Sequence, residues 1–152
     1  MAIPTRASRP GTHFITTATY NRRRIFQVPA NAELFLETLQ HYRRADRYKL
    51  HAFVVMPDHV HLILTPQLIT LERAMGLIKG GFSHRISSNF PIWQRGFTDH
   101  RIRNAEDMQA RRDYIHMNPV RANLVTVPEF YPYSSAYKSP ASAAEAAPIH
   151  TP

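Results

Sequence analysis

The chain has 152 residues, no cysteine and a net charge of +8. This length predicts one domain with an apolar core of its own, and the lack of cysteine excludes disulfides and thiolate metal sites. No run of the sequence approaches the ~20 apolar residues of a membrane helix, and the first ten residues have no signal-peptide core. We therefore expect a cytoplasmic protein without a membrane partner.

Arginine dominates the positive charge. Of the 19 basic residues, only Lys49, Lys79 and Lys138 are lysine. Arginine binds phosphate bidentately and stacks on bases, so this bias favours nucleic acid as the partner over anionic lipid or a merely solvated surface. The first 32 residues contain five arginines and no acidic residue, so the positive charge is concentrated near the N-terminus.

The first elements are predicted from hydrophobic periodicity and turn residues. Residues 1–12 should form a flexible basic N-terminus, followed by a strand over residues 13–20. The polar residues 21–24 predict a loop. Asn31 is a suitable N-cap for a helix that ends near Arg47.

Two adjacent strands and a second helix come next. The strands are predicted over residues 50–56 and 59–65, and the short Pro57-Asp58 pair predicts a tight hairpin between them. Thr70 should cap the second helix, which carries one apolar stripe. The Gly80-Gly81 pair in its later part predicts a close approach by another element.

A fourth strand, over residues 97–103, and a third helix complete the pattern. Asn104 is followed at the third position by Asp107, which resembles a capping box and predicts the start of the helix. Proline disfavours helical geometry at the residue before it, so the helix should end at Asn118.

The order β-α-β-β-α-β matches the split βαβ, ferredoxin-like arrangement. We therefore predict an α+β fold: an antiparallel sheet with helices packed on one face and a further C-terminal helix. Residues 13–137 should form this domain. The Ala-, Ser- and Pro-rich sequence after Ser134 predicts a mobile tail, with residues 138–152 disordered. Because many functions share this fold, it does not decide the activity.

A histidine pair within the apolar run HVHLIL is the first candidate site. Side chains alternate along a strand, so His59 and His61 should leave one face while Val60 leaves the other. Two imidazoles side by side on a rigid strand can hold a metal. From this spacing alone, two histidines on a solvated sheet face are the favoured interpretation, because a protein with nine histidines contains such a pair by chance.

Tyr114 is the second candidate, in the segment RRDYIHMNPVRA. It should lie in mid-helix behind Arg111 and Arg112, with Asn118 one turn further on. A tyrosine hydroxyl has an ordinary pKa of about 10 and attacks poorly at neutral pH unless a metal or nearby guanidinium groups assist it. In isolation, the favoured interpretation of Tyr114 is an amphipathic side chain that covers the core with its hydroxyl in water, which is usual for helical tyrosines.

The segments VVMPDHVHLILTP, RIRN and DYIHMNPVRANLV, in this order and spacing, resemble those of the HUH single-tyrosine transposases. Within that family the resemblance is strongest to the REP-associated tyrosine transposases, which act on repetitive extragenic palindromes. It covers roughly residues 13–137. It implies a bacterial, nucleoid-associated enzyme that acts as a monomer or a homodimer on single-stranded, hairpin-forming DNA.

The resemblance also implies roles for individual residues. His59 and His61 would be ligands of a divalent metal, Mg²⁺ or Mn²⁺. Tyr114 would be the nucleophile that forms a 5′-phosphotyrosine and frees a 3′-hydroxyl. Asn118 stands where related transposases carry a glutamine and would complete the metal site. His100 has no implied role, and we expect a structural one.

DNA contacts are expected from arginines and aromatic rings. The arginines expected to bind DNA are Arg22, Arg23, Arg24, Arg111 and Arg112. Aromatic rings stack on unpaired bases, although most rings of a small domain belong to its core. The candidate rings are Phe14, Tyr20, Phe26, Trp93 and Phe97, most of which we expect to be core.

Three other functions remain open on the sequence. A non-catalytic nucleic-acid-binding module would use the same residues to stack on bases. A metal-dependent nuclease would attack with water and leave no covalent link to protein. A replication initiator would use the same chemistry, although this chain is short for one.

Overall fold

The computed structural model describes residues 11–139. Within that range the strands are β1 (His13–Ala18), β2 (Tyr48–Met56), β3 (His59–Pro66) and β4 (Thr98–Arg101). The longer helices are α1 (Pro29–Arg44), α2 (Leu71–Ile86) and α3 (Ala105–Arg121). No helix among these residues is long and apolar enough to cross a membrane.

The described strands form one sheet in the order β2-β3-β1-β4, and each adjacent pair is antiparallel. The strands β1 and β2, which α1 connects, are separated in the sheet by β3. This separation is the split βαβ arrangement, so the predicted α+β, ferredoxin-like fold is confirmed.

The sheet has a core on each face. The alternating residues Ile15, Val60, Leu62 and Leu64 are buried together with side chains of α1 and α2. The opposite face packs Phe14, Ala52, Val54 and Ile63 around Ile115 of α3. Because neighbouring residues of a strand point to opposite faces, β1 and β3 serve both cores at once.

Two predicted helix ends are wrong. The first helix begins at Pro29 rather than after Asn31, because proline is well suited to the first helical position. The Asn31 side chain instead donates to the Ile25 carbonyl at 2.9 Å. The third helix does not end at Asn118 but includes Pro119, whose ring is buried, and continues to Arg121. Burial of that ring offsets the local preference of the proline.

The segment after Ser134 also differs from the prediction. Ser134 pairs with Val54, and the backbone N–H of Ser135 donates to the Phe53 carbonyl at 2.9 Å. The backbone N–H of Lys138 donates to the backbone carbonyl of Glu129 at 3.1 Å. The predicted mobile tail therefore does not begin at Ser134. Residues 140–152, like residues 1–10 of the predicted flexible N-terminus, lie outside the described residues.

The predicted loop over residues 21–24 contains part of a short 3₁₀ helix, Tyr20–Arg22. Several other sequence predictions for the scaffold are confirmed. Pro57-Asp58 is the two-residue connection between β2 and β3. The Thr70 side chain accepts from the Arg73 N–H at 3.1 Å and caps α2. Asn104 caps α3 by accepting from the Asp107 N–H at 2.8 Å. The fourth strand is four residues long instead of seven.

The glycine pair of α2 provides a test of its packing against α1. A Cβ on Gly81 would lie 2.9 Å from the Tyr42 hydroxyl, whereas a Cβ on Gly80 would meet nothing within 4 Å. Gly80→Ala should raise the free energy of unfolding by about 1 kcal/mol through helix propensity. Gly81→Ala should be about 1–3 kcal/mol less stable than Gly80→Ala because it overpacks the contact. Urea unfolding measures both, and equal stabilities would contradict this packing.

Candidate active site

Strand β3 places its two histidines on the face that α3 covers. His59 and His61 leave one face, and Val60 leaves the other for the core with α1 and α2. The two imidazole centroids lie 4.8 Å apart. The predicted alternation is therefore confirmed, and the two rings lie near enough to act on one ligand.

The turn before β3 is fixed by the segments that follow β1. The backbone N–H and the hydroxyl of Thr19 both donate to the Asp58 carbonyl, each at 3.0 Å. The Phe26 N–H donates to the Pro57 carbonyl at 3.0 Å. These bonds hold the end of β3 that carries His59 and His61.

His61 is almost fully enclosed, with 5% of its surface exposed. Its Nδ1 lies 2.8 Å from the Thr16 hydroxyl, and its ring stacks on Phe14 with centroids 5.4 Å apart. Burial, then the charges of His59, Arg121 and Arg22, lower the pKa of His61 to about 3. The imidazole is thus neutral at physiological pH, as a metal ligand must be.

His59 is more exposed and has an acidic partner. Its Nδ1 donates to Asp58 Oδ1 at 2.7 Å, while Arg22 lies 3.8 Å from the other carboxylate oxygen. A carboxylate behind a histidine orients the ring and makes its other nitrogen a better ligand. Asp58 directly precedes His59, and this adjacency is a signal that sequence reasoning could have used.

Tyr114 of α3 lies against this pair. Its ring centroid is 5.4 Å from that of His61 and 5.9 Å from that of Phe14, both in edge-to-face geometry. The side chain is 45% exposed. The next residue, Ile115, is fully buried under the helix, so the packing of α3 on the sheet sets where Tyr114 lies.

Arg121 belongs to the same site, although sequence reasoning missed it. Its guanidinium lies over the Tyr114 ring at 4.5 Å, and its Nη2 donates to the Tyr114 carbonyl at 2.6 Å. Asn118, between them on this helical face, is half-buried. Tyr114, Asn118 and Arg121 are spaced i, i+4, i+7, which is the signal that would have identified Arg121.

The candidate metal ligands have no acidic third member. No group of three His, Cys, Asp or Glu side chains within residues 11–139 is arranged to hold a metal ion. A third ligand from this part of the chain would have to come from another residue type. Asn118 is such a residue, and its role stays a prediction.

The arginines expected to bind DNA lie in different places. Arg22 lies beside Asp58, the partner of His59 in the candidate site. Arg23 lies over the exposed ring of Phe90 at 5.2 Å, and Arg24 donates to Gln27. A cleft of about 360 Å³ runs from Thr16 past Arg22, and its other lining residues include Arg95, Gly96 and Phe97.

Arg111 and Arg112, which precede Tyr114 on α3, lie near different parts of the structure. Arg111 lies over the Phe14 ring at 5.3 Å, so its charge adjoins the candidate site. The charge of Arg112 instead acts on His51 and His116, where it helps lower both pKa values after burial. Arg112 therefore lies towards the β2 side of α3, away from Tyr114.

The aromatic residues are distributed largely as predicted. Phe14 and Phe26 are buried, and Trp93 and Phe97 pack against the core with α1 and α2. Tyr20 is 43% exposed, so of these five candidate rings it is the one accessible for stacking on a base.

Comparison with known proteins gives consistent results. The model of the family described as Transposase IS200 like matches residues 8–118. The REP-associated tyrosine transposase of Escherichia coli (strain K12) is 30% identical over 130 residues, covering 84% of this chain and 78% of that protein. A solved structure of a REP-associated tyrosine transposase bound to a REP hairpin has a TM-score of 0.76 and 28% identity. That match covers 89% of this chain and 82% of the other.

The start of α3 is anchored by Asp107. Its carboxylate accepts from His100 at 2.9 Å, from the Arg103 N–H at 2.9 Å and from Arg111. The bond from His100, then that from Arg103, lowers the pKa of Asp107 to about 2. The expected structural role of His100 fits this anchor.

Asp107→Asn should therefore destabilise the protein in a pH-dependent way. A lowered folded-state pKa contributes stability above the unfolded value of about 3.9, and that contribution is lost as the pH falls towards 2. The gap in unfolding free energy between wild type and variant should be full at pH 5 and shrink towards pH 2. Urea unfolding across this range, with Glu106→Gln as the control for charge in the first turn, measures it. A gap that is constant down to pH 2 would contradict the anchor.

Proposed function

The chain belongs to the IS200-like transposase family, and on that basis we propose that it cleaves and rejoins single-stranded hairpin DNA through Tyr114. The observation that carries this proposal is the edge-to-face contact of Tyr114 with His61, at a centroid distance of 5.4 Å. Residues 53 positions apart in sequence meet there, on a surface bordered by arginines.

The proposed reaction is an exchange of phosphodiesters. The Tyr114 hydroxyl loses its proton as its oxygen attacks the scissile phosphorus. The bond to the 3′ oxygen breaks, and that oxygen takes up a proton, so protons are conserved overall. The 5′-phosphotyrosine keeps the energy of the original bond, so no ATP is needed. A 3′-hydroxyl can later attack the link, which restores the phenol and rejoins the strand. Arg111 lies over Phe14, which contacts Tyr114, and its charge would favour the negative charge that develops.

The HUH transposase family generally uses a divalent metal, and the donors of this site fit one. The Nδ1 atom of His59 is hydrogen-bonded to the Asp58 carboxylate, and the Nδ1 atom of His61 is hydrogen-bonded to the Thr16 hydroxyl. We assign a proton to each Nδ1, which leaves both Nε2 lone pairs for a cation. His59, His61 and the amide oxygen of Asn118 would hold it, and nitrogen ligands favour Mn²⁺ over Mg²⁺. When bound, it would supply Lewis-acid polarisation of the phosphate.

The proposed substrate follows from the basic surface and the comparison. A related transposase was solved with a REP hairpin, and we propose a hairpin of similar palindromic type here, on DNA in the bacterial cytoplasm. Arg22, Arg23 and Arg24 would contact its backbone, with Arg111 and Arg112 on α3. The histidines and Tyr114 lie on one chain, so a monomer suffices, and a homodimer would carry two such sites.

Tyr114→Phe should abolish cleavage and rejoining together, because one phenol opens and recloses the phosphodiester. Binding of a labelled hairpin oligonucleotide should change little, since the ring remains. The assay is a detergent-resistant protein–DNA adduct formed with Mn²⁺ and mapped to Tyr114 by mass spectrometry. Tyr137→Phe, at 37% exposure, is the matched control and should form the adduct normally.

Two results would contradict the nucleophile assignment. Cutting without any adduct would indicate a nuclease that uses water, and binding without cutting would indicate a non-catalytic module. An adduct on Tyr131 is not expected, because its hydroxyl is bonded to the Val55 carbonyl and burial raises its pKa to about 12.

The metal assignment predicts graded effects at three positions. His59→Ala and His61→Ala should abolish cleavage and Mn²⁺ binding while leaving most DNA affinity. Asp58→Asn should weaken Mn²⁺ binding by roughly 10–100-fold, because it removes the carboxylate behind His59. Calorimetric titration with Mn²⁺ measures this without activity. His41→Ala, an exposed position on α1, is the control, and cleavage that survives full chelation would refute the assignment.

The DNA path predicts a change in salt dependence. Replacing Arg22, Arg23 and Arg24 together by alanine should weaken hairpin binding and reduce the slope of log K against log [salt] by about 0.7 per lost phosphate contact. The matched control removes the same charge at Arg43 and Arg44, which end α1, and at Arg47, three residues beyond it. If the two triple variants had equal effects, the assignment of the DNA path to Arg22, Arg23 and Arg24 would be contradicted.

A further inference from the structure

Arg121 makes two contacts with one residue. Its planar guanidinium covers the Tyr114 ring at 4.5 Å, and its Nη2 donates to the Tyr114 backbone carbonyl at 2.6 Å. Helical side chains lean towards the N-terminus, so a residue two turns later reaches back over an earlier one. The stacking contact and the hydrogen bond together fix the arginine relative to the ring.

The Tyr114 ring otherwise has little to hold it. It meets Phe14 and His61 through edge contacts, and 45% of the side chain is exposed. Exposed side chains change rotamer in picoseconds to nanoseconds. An attacking group is most effective when it is held near the reacting geometry. The Arg121 guanidinium, 4.5 Å from the ring centroid, is nearer to the ring than either of these neighbours.

The extension of α3 through Pro119 supplies this contact. A helix that ended at Asn118, as the proline predicts, would release Arg121 from the face that carries Tyr114. Instead Pro119 is buried, and the Ala122 N–H donates to the Asn118 carbonyl at 3.0 Å. The helix therefore continues for one more turn, and Arg121 stays in line with Tyr114.

We propose that Arg121 is a positioning residue that clamps the Tyr114 ring beside His61, in the rotamer from which the phenol attacks DNA. This rests on the proposed function, because it takes Tyr114 as the nucleophile. A flat guanidinium that stacks and donates at once is required, and a lysine ammonium cannot do both in the same geometry.

The kinetic test compares Arg121→Met and Arg121→Lys with wild type in single-turnover cleavage at saturating hairpin DNA with Mn²⁺. Both variants should cleave roughly 10–100-fold more slowly. Their DNA dissociation constants should rise by less than about threefold, with Arg121→Lys nearer to wild type because it keeps the phosphate-binding charge. The control Arg44→Met removes one exposed arginine from α1 and should cleave normally.

A second readout needs neither DNA nor metal. In protein labelled with ring-¹³C tyrosine, the Tyr114 resonance, assigned with Tyr114→Phe, should be shifted by the rings of Phe14 and His61. Arg121→Met should move it towards the value of a free tyrosine without lowering the melting temperature by more than a few degrees. An unmoved resonance overturns the clamp even if cleavage slows.

The outcomes separate this proposal from the one it rests on. If wild type forms no adduct on Tyr114, the proposed function fails, whatever the resonance shows. If wild type forms the adduct and Arg121→Met or Arg121→Lys reacts at the same saturated rate, the clamp alone is overturned. A loss confined to DNA affinity would make Arg121 a phosphate contact and would also overturn it.

Discussion

The packing of α3 on the second face of the sheet is the interaction on which the rest of the site depends. Ile115 is fully buried among Phe14, Ala52, Val54 and Ile63. Burial of an isoleucine side chain is worth about 1.5–3 kcal/mol, so the helix is anchored one residue from Tyr114. Without this contact the tyrosine and the histidines would belong to separate surfaces.

Strand β3 fixes the other half of the site. Alternate residues of its apolar run face the core with α1 and α2, and the residues between them face the candidate site. Val60, Leu62 and Leu64 hold the sheet on α1 and α2, and this fixes His59 and His61 on the other face. Any slip of register by one residue would bury the histidines among α1 and α2 and lose that core. The stability of the fold and the geometry of the candidate site are therefore enforced by the same alternation.

The two histidines differ in environment in a way that suits a shared ligand. His61 is enclosed by Phe14 and Thr16 and stays neutral. His59 is nearer to solvent and bonded to Asp58, which Arg22 approaches from outside. Asp58 therefore lies between Arg22, part of the proposed DNA-binding loop, and His59, a proposed metal ligand.

The order of elements was predictable from the amino acids alone, as were the turn at Pro57-Asp58 and the caps at Thr70 and Asn104, because these depend on neighbours along the chain. The alternation of His59 and His61 was predictable for the same reason. Resemblance, rather than periodicity, singled out Tyr114. The continuation of α3 through Pro119 depends instead on tertiary packing, because burial of the proline ring outweighs its local preference. Tertiary packing also decided that Thr16 meets His61, that Arg111 and Arg112 diverge, and that Arg121 covers Tyr114. Those contacts depend on strand register and helix docking, which bring together residues that are distant in sequence.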